Sequence, residues 1–380
     1  MVALPAATRP GVGRNASPRL YGPEYEAVVR VLESGHFGHG AVTEQFEREV
    51  ADFLGVPDAV ALSSCTAALH TALVAAGVGS GSEVIVPSLT FCATIQAILA
   101  SGARPRFVDV DPGTLRITAD AVLDAVTPAT AAVVPVLFGG RAVDLEAARD
   151  SLADRGIVVV EDAAHAFGSY EGSRRVGGTG QLTCFSFGPI KNLTCGQGGM
   201  VIPRNRQEAD RLRGLRMLGV VESAEQRAAS TTYRVAATGF RYFMSSINAA
   251  IGITQLARFP TTEETRKDLW CAYREALRDV PAVDLVDVDV AHTVPHLCVV
   301  RVPQRDRVWQ FMRERGIDVV VQYPPNHVQP AFAKWTLPLP VTERLGREVL
   351  SLPFHPHLTD GDIEHVVSVL EQALAPLRVS

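Results

Sequence analysis

Short apolar runs alternate with longer mixed stretches from about residue 57 to 203. The runs occupy residues 60–62, 84–86, 107–110, 132–136, 157–160, 184–187 and 200–202, and β-branched side chains are frequent in them. Between the first five lie stretches with helical spacing of apolar positions, for example residues 67–76 and 142–152. This alternation predicts an α/β fold: a mostly parallel sheet with helices on both faces. In such sheets ligands bind outside the carboxyl ends of the strands, so the residues just after each run are the ones to inspect.

The pattern then changes. Residues 205–257 predict a helical, polar segment, and a long helix pattern follows Phe259-Pro260. Strands are expected near residues 299–302 and 319–321, and a last helix over residues 360–374. The organisation expected is a large domain over residues 20–257 and a smaller C-terminal α+β domain over residues 258–380, with residues 1–19 as an arm. There is no internal repeat and no low-complexity tract.

Composition narrows the possibilities. The chain has 380 residues, 47% hydrophobic and 20% charged, ample for a buried core. A net charge of -5 without any basic block argues against nucleic acid as a partner. No apolar stretch reaches the roughly 18 residues of a membrane span, and no secretory signal pattern opens the chain. The six cysteines are scattered without metal-type spacing, which suits reduced thiols in the cytoplasm. The sequons Asn15-Ala16-Ser17 and Asn192-Leu193-Thr194 are then chance matches.

The basic residues hold the first chemical clue. Of 36 Lys and Arg residues, the lysines are Lys191, Lys267 and Lys334 alone. Lys267 sits among charged neighbours and Lys334 beside Trp335, but Lys191 follows the run at 184–187 and precedes a Gly-rich turn. Arginine holds its proton too tightly to form an imine, whereas a desolvated lysine can act as a free amine near neutral pH. Asp162 ends the run at 157–160; it suits either a protonated pyridine nitrogen or a helix N-cap, and the pairing with Lys191 favours the first. Ser63-Ser64-Cys65-Thr66-Ala67-Ala68 places small hydroxyl residues at a helix start, which fits a phosphate as well as ordinary capping. Ser186 is positioned to add a phosphate contact, and Phe91 is either core or a ring stacked on a flat cofactor.

Some signals mislead. Gly77-Val78-Gly79-Ser80-Gly81 looks like a dinucleotide loop but follows a helix and precedes a strand, the reverse of that fingerprint. His36 with His39, and His355 with His357, lack the acidic or thiol partners of a metal site, so no metal is expected.

Taken together, Ser64-Cys65-Thr66-Ala67-Ala68-Leu69-His70, Glu161-Asp162-Ala163-Ala164-His165-Ala166-Phe167-Gly168 and Phe185-Ser186-Phe187-Gly188-Pro189-Ile190-Lys191-Asn192 resemble the sugar aminotransferases of the DegT/DnrJ/StrS family, fold-type-I enzymes dependent on pyridoxal phosphate. The resemblance runs from Ser34-Gly35-His36 to Ser351-Leu352-Pro353-Phe354-His355-Pro356. It is strongest to the branch acting as 4-aminotransferases on nucleotide-linked 4-keto sugars. It implies Lys191 as the imine lysine, Asp162 at the pyridine nitrogen and Phe91 on the ring. Thr66, Ala67 and Ser186 would hold the phosphate, His165 would flank the ring hydroxyl, and His327 would contact substrate. It also implies a homodimer with shared active sites. The segment Gly239–Ser246 departs from the family pattern: Arg241 stands near a usual Asn, which suggests a contact to the neighbouring subunit's cofactor phosphate or to the substrate's diphosphate.

The expected function is transfer of an amino group from L-glutamate to a 4-keto-6-deoxy sugar on dTDP or UDP, in amino-sugar biosynthesis. Alternatives are a non-catalytic sugar-nucleotide sensor, amination at C3 of the sugar, and a lyase or dehydratase on the same fold. Dehydratases of the family carry His in place of the imine lysine, so Lys191 argues against that branch.

Overall fold

The computed structural model describes residues 11–222 and 224–375, so residues 1–10 of the expected arm lie outside the described residues. Every apolar run of the first half forms a strand. β1 (Val60–Leu62), β2 (Glu83–Pro87), β3 (Arg104–Val108), β4 (Thr130–Val133) and β5 (Val158–Asp162) are followed by a small hairpin of β6 (Tyr170–Glu171) and β7 (Arg174–Arg175). β8 (Leu182–Ser186) and β9 (Gly199–Ile202) complete a seven-stranded sheet in the order β1-β9-β8-β5-β4-β2-β3. All pairings from β8 to β3 are parallel; β9 alone runs against both its neighbours. The fold is thus α/β with a mostly parallel sheet, as expected.

Apolar side chains pack against both faces of the sheet. One face carries Phe46, Phe167, Phe185, Phe187 and Phe259; the other carries Leu69, Leu73, Val84, Val86, Ile98 and Phe107. A second, three-stranded antiparallel sheet combines β10 (Asp284–Leu285), β11 (Cys298–Arg301) and β12 (Val349–Leu352). Its own cluster includes Trp270, Tyr273, Val300, Met312, Val366 and Leu370, from helices Phe259–Leu277, Arg305–Glu314 and Asp360–Leu374. The last of these starts on a capping box, with the Thr359 side chain and Asp362 each satisfying the other's backbone N–H.

Four local expectations differ from the structure, each for a physical reason. The helix Cys65–Ala75 is not amphipathic: it is buried almost all round. Residues 142–152 do not form one helix, because Asp144 accepts the Glu146 N–H at 2.8 Å in a side-chain turn that competes with helix. An α-helix begins only at Arg149. Residues 205–257 are helical only in Arg206–Arg216, Ala224–Ala228 and Ser246–Ala257. Between them the chain doubles back, Ala236 donating to Gly219 at 2.9 Å and Val221 to Arg234 at 3.1 Å. Gly219 has a φ of 70°, and a Cβ there would collide with the Ala237 backbone, so only glycine closes this crossing. Finally, residues 319–321 make an isolated bridge from Val320 to Ser351 rather than a strand. The Val319 carbonyl is occupied by the Trp309 indole N–H at 2.9 Å, and Pro324 and Pro325, which lack an N–H, follow shortly.

The N-terminal residues are strapped across the second body. Asp318 donates to Val12 at 2.9 Å and Phe354 to Asn15 at 2.7 Å. The Asn15 amide donates to Ser351 at 2.9 Å, and the Gln255 amide reaches Arg19 at 3.0 Å. Asn15 and Asn192 are both buried, so neither sequon presents its amide to solvent. No described helix is long and apolar enough to cross a membrane.

Candidate active site

The carboxyl ends of β1, β2, β5 and β8 converge. After β1, Ser64 caps the helix Cys65–Ala75, its hydroxyl accepting the Ala67 N–H at 3.1 Å. Cys65 and Thr66, the first two residues of the helix, keep N–H groups with no intrahelical partner, at the positive end of the dipole. The Ala67 N–H, expected as a phosphate donor, is already used by Ser64. The helix-start N–H groups left without a partner are therefore those of Cys65 and Thr66, with the Thr66 and Ser186 hydroxyls in the same chamber. After β2, Phe91 caps the helix Cys92–Ala100 without a side-chain bond and stays 56% exposed. Such a ring, half in solvent at the mouth of a cavity, is available for stacking.

These elements enclose a chamber of about 320 Å³ whose walls include Thr66, Phe91, Asp162, His165, Ser186 and Lys191. Six residues expected from the sequence thus meet in one space. Three do not. Ala67 is buried behind the wall. Arg241 is exposed, its guanidinium 5.7 Å from the Phe243 ring centroid, and does not line the chamber of its own chain. His327 has no exposed surface. Its Nδ1 lies 2.7 Å from the Ser88 hydroxyl and its Nε2 3.5 Å from Glu343, beneath the loop that carries Phe91.

Each polar wall residue is held differently. Asp162 is buried at the end of β5, where its carboxylate accepts from the Thr94 hydroxyl at 2.7 Å and from the Ala164 N–H at 3.2 Å. Burial raises its pKa, while Thr94, Ala164 and the nearby Lys191 oppose the rise. The Lys191 amine makes no hydrogen bond or ion pair among the described residues, although its backbone N–H donates to the Gly188 carbonyl at 3.2 Å. Burial lowers its pKa from 10.5 to about 8, with Cys65 and Asp162 opposing and the Arg266 guanidinium adding to the drop. Lys191 therefore gives up its proton more readily than an ordinary lysine, as a nucleophile requires.

His165 is held well below the usual histidine range by burial, then by Lys191. Its Nδ1 accepts from the Gly139 N–H at 3.3 Å, which leaves Nε2 to donate to the Tyr323 hydroxyl at 3.1 Å. The Tyr323 proton is left for another acceptor in the chamber. Behind His165 packs His296, with ring centroids 4.4 Å apart. His296 donates from Nδ1 to the Asn192 side chain at 3.0 Å, and Asn192 donates to the Val294 carbonyl at 3.0 Å. The residue after Lys191 is thereby tied to the same turn that buttresses His165.

Thr94, Gln322, Tyr323 and His296 were missed in the sequence, whereas capping by the hydroxyls before Ala67 was one of the two readings it offered. Thr94 had a findable signal, since it lies one helical turn beyond Phe91. Tyr323 stood beside the residues that drew attention to His327, but nothing local says that its ring reaches His165 across 158 residues of chain.

The chamber fits pyridoxal phosphate on its own evidence. It offers a free buried amine, unpaired N–H groups at a helix start, a buried carboxylate and an exposed aromatic ring. Among the described residues no group of three or more His, Cys, Asp or Glu is arranged to hold a metal ion.

A model of the DegT/DnrJ/EryC1/StrS aminotransferase family matches residues 20–371. Among solved structures, the aminotransferase TlmJ from Streptoalloteichus hindustanus is 35% identical; the match covers 96% of this chain and 99% of that one, with a TM-score of 0.90. The sugar aminotransferase CalS13 from Micromonospora echinospora is 32% identical over 94% of this chain and 99% of its own, with a TM-score of 0.88. DesI, solved in the presence of its TDP-sugar product, is 32% identical over 98% of this chain and 95% of its own, with a TM-score of 0.87.

Proposed function

The chain belongs to the DegT/DnrJ/EryC1/StrS aminotransferase family and is a pyridoxal-phosphate-dependent sugar aminotransferase; within that activity we propose that it moves an amino group from L-glutamate to C4 of a 4-keto-6-deoxy sugar carried on dTDP or UDP. The observation that carries this reading is Lys191, whose amine stands unpaired in one chamber with the buried Asp162 carboxylate. A relative solved with a TDP-sugar product supports a nucleotide-linked acceptor.

Bound in the chamber, pyridoxal phosphate supplies an electron sink for breaking a C–H bond beside nitrogen. Lys191 would hold the cofactor through Nζ and, when free, would move a proton at the reacting carbon of the substrate. Asp162, oriented by Thr94 and Ala164, would accept from the protonated pyridine nitrogen and keep it charged. Phe91 would stack on the ring, and the Cys65 and Thr66 N–H groups, with the Thr66 and Ser186 hydroxyls, would receive the phosphate. His165 and Tyr323 would meet the ring hydroxyl.

We further propose a cytoplasmic homodimer. Tyr25, Val29, Leu32 and Phe37 expose apolar surface on and just after the helix Pro23–Ser34, as an unfilled interface would. In such a dimer Arg241 of one subunit would reach the phosphate or diphosphate in the other.

The test is a two-stage assay on protein reconstituted with cofactor. Glutamate should bleach the cofactor's long-wavelength absorbance and release 2-oxoglutarate. A panel of nucleotide keto-sugars should then restore it, each product gaining an amine by mass spectrometry. A product that loses water would mark a dehydratase, and absence of any response to glutamate would remove the donor assignment.

A further inference from the structure

We propose that Arg266 is a positioning residue for the transfer: its buried guanidinium, set close to Lys191 with no carboxylate to match it, acts through its charge to keep that amine free of a proton. This rests on the reading of Lys191 as the reactive amine. Arg266 belongs to the helix Phe259–Leu277 and is only 3% exposed. It lines one small cavity together with Lys191, Tyr21 and Thr262. Its guanidinium donates to the Pro295 carbonyl at 3.2 Å and lies 3.5 Å from that of His296, while its Nε finds no acceptor. Burial lowers its pKa to about 10, and the one ionisable group that opposes the fall is Tyr21, a phenol rather than a carboxylate. A buried guanidinium without an anion costs the fold stability, and an apolar side chain of similar volume would fill the space at less cost. An unmatched cation kept beside a reactive amine therefore points to an electrostatic use.

Most of the other ionisable groups around Lys191 are neutral. Burial raises the Cys65 thiol well above its usual range. His165 and His296 are both held well below the histidine range, first by burial. Burial also pushes the Tyr323 phenol up. Near neutral pH two charges then act on the amine: Asp162, which favours the ammonium, and Arg266, which opposes it. In the proposed function Asp162 is matched by the pyridine nitrogen, which leaves Arg266 as the unmatched charge. Burial remains the larger cause of the readiness of Lys191 to lose its proton, and Arg266 adds a further increment.

The position of the cation is also fixed relative to the amine. The segment that receives the guanidinium carries His296, whose ring bonds the Asn192 side chain at 3.0 Å, and Asn192 directly follows Lys191. The Phe354 ring centroid lies 5.5 Å from the guanidinium carbon. The charge is thus pinned to the turn that bears the lysine, as a steady field at one atom needs.

The experiment titrates Lys191 in the cofactor-free full chain, where Lys267 and Lys334 are the other lysines. Protein is labelled with limiting acetic anhydride from about pH 6 to 10, and each lysine is read by peptide mass spectrometry, with the exposed Lys334 as internal reference. The variants are Arg266→Gln and Arg266→Met, both neutral but different in shape, and Arg266→Lys, which keeps a cation. Urea midpoints identify the neutral variant that keeps the fold. In that variant the Lys191 midpoint should rise by about half a pH unit, which is roughly threefold slower labelling at pH 7. Uptake of pyridoxal phosphate at pH 7 should slow by the same factor, and Lys334 should not move. Arg266→Lys should keep most of the unaltered rate. An unmoved Lys191 midpoint in the folded neutral variant, or an equal shift in Arg266→Lys, would overturn the role of Arg266 alone. Borohydride reduction of the reconstituted, unaltered protein should fix the cofactor on Lys191; fixation on Lys267 or Lys334 instead would overturn the reading of Lys191, and this role with it.

Discussion

Two buried regions of the larger body hold positive charge in opposite ways. Beneath β1, the Arg216 guanidinium meets the Glu47 carboxylate and donates to the Ala61 carbonyl at 2.7 Å. Glu47 in turn accepts the Ala61 N–H at 2.7 Å. His39, 3.3 Å from Arg216, is pushed down to about 4 by burial and then by that guanidinium, so it stays neutral there. Beyond the end of β8, two strands across the sheet, Lys191 is also enclosed, yet no carboxylate touches it. A buried charge with a matched partner fixes structure, while a buried amine without one loses its proton more readily and so becomes more reactive. The sheet thus carries one cation locked in place and one amine that no structural partner holds.

The contrast breaks most visibly at Lys191. Lys191→Ala should lower transamination by about 10⁴-fold or more, while denaturant midpoints show the fold intact; retained turnover would take the amine out of the mechanism. Glu47→Ala should do the reverse. Leaving Arg216 buried and unpaired should cost about 3–5 kcal/mol of stability, read by urea denaturation, with activity per folded molecule unchanged. Asp162→Asn lies between them: the fold should survive, and the rate should fall about 10²–10³-fold from loss of a single charged partner in a dry site.

The smallest effect depends on pH. Lys191 has a folded pKa of about 8 against 10.5 in its ordinary state. Between those values the unfolded chain binds more protons than the folded one, so this lysine's contribution to stability rises with pH across that window. Cofactor-free Lys191→Met should therefore be more stable than the unaltered chain below pH 8, and the advantage should shrink towards pH 10.5. Its size is about 1–2 kcal/mol, given the solvent at the chamber mouth. Paired unfolding curves at pH 7 and 10 would show it, and an advantage that grew with pH would contradict the unpaired amine.

The strands and the two chemical anchors were legible because each is written locally. A run such as Val158–Asp162 states its own burial, and a lone Lys after such a run stands out in an Arg-rich chain. The rest depends on distance along the chain. Tyr323 and Gln322 reach the chamber from far along the chain, His296 backs it through His165, and no periodicity near them signals that destination. Ala67 shows a subtler limit: its place at the helix start was legible, but the bond from its N–H to the Ser64 hydroxyl is seen only in the geometry. His327 was singled out by its neighbours, whereas its buried ring braces the Phe91 loop from below. The Cys65–Ala75 helix was mistaken for an amphipathic one because its Ala-rich sequence fits burial on every side.

The strap of residues 12–19 has a consequence for how the chamber comes to be closed. Ser17, Pro18, Arg19 and Tyr21 line a small second cavity that Lys191 also touches. The seats that hold the strap, Asp318, Ser351 and Phe354, lie more than 300 residues further along the chain. A contact of that separation is slow to form. This side of the reactive amine is therefore among the late parts of the fold to close, whatever the speed of the strands that carry it.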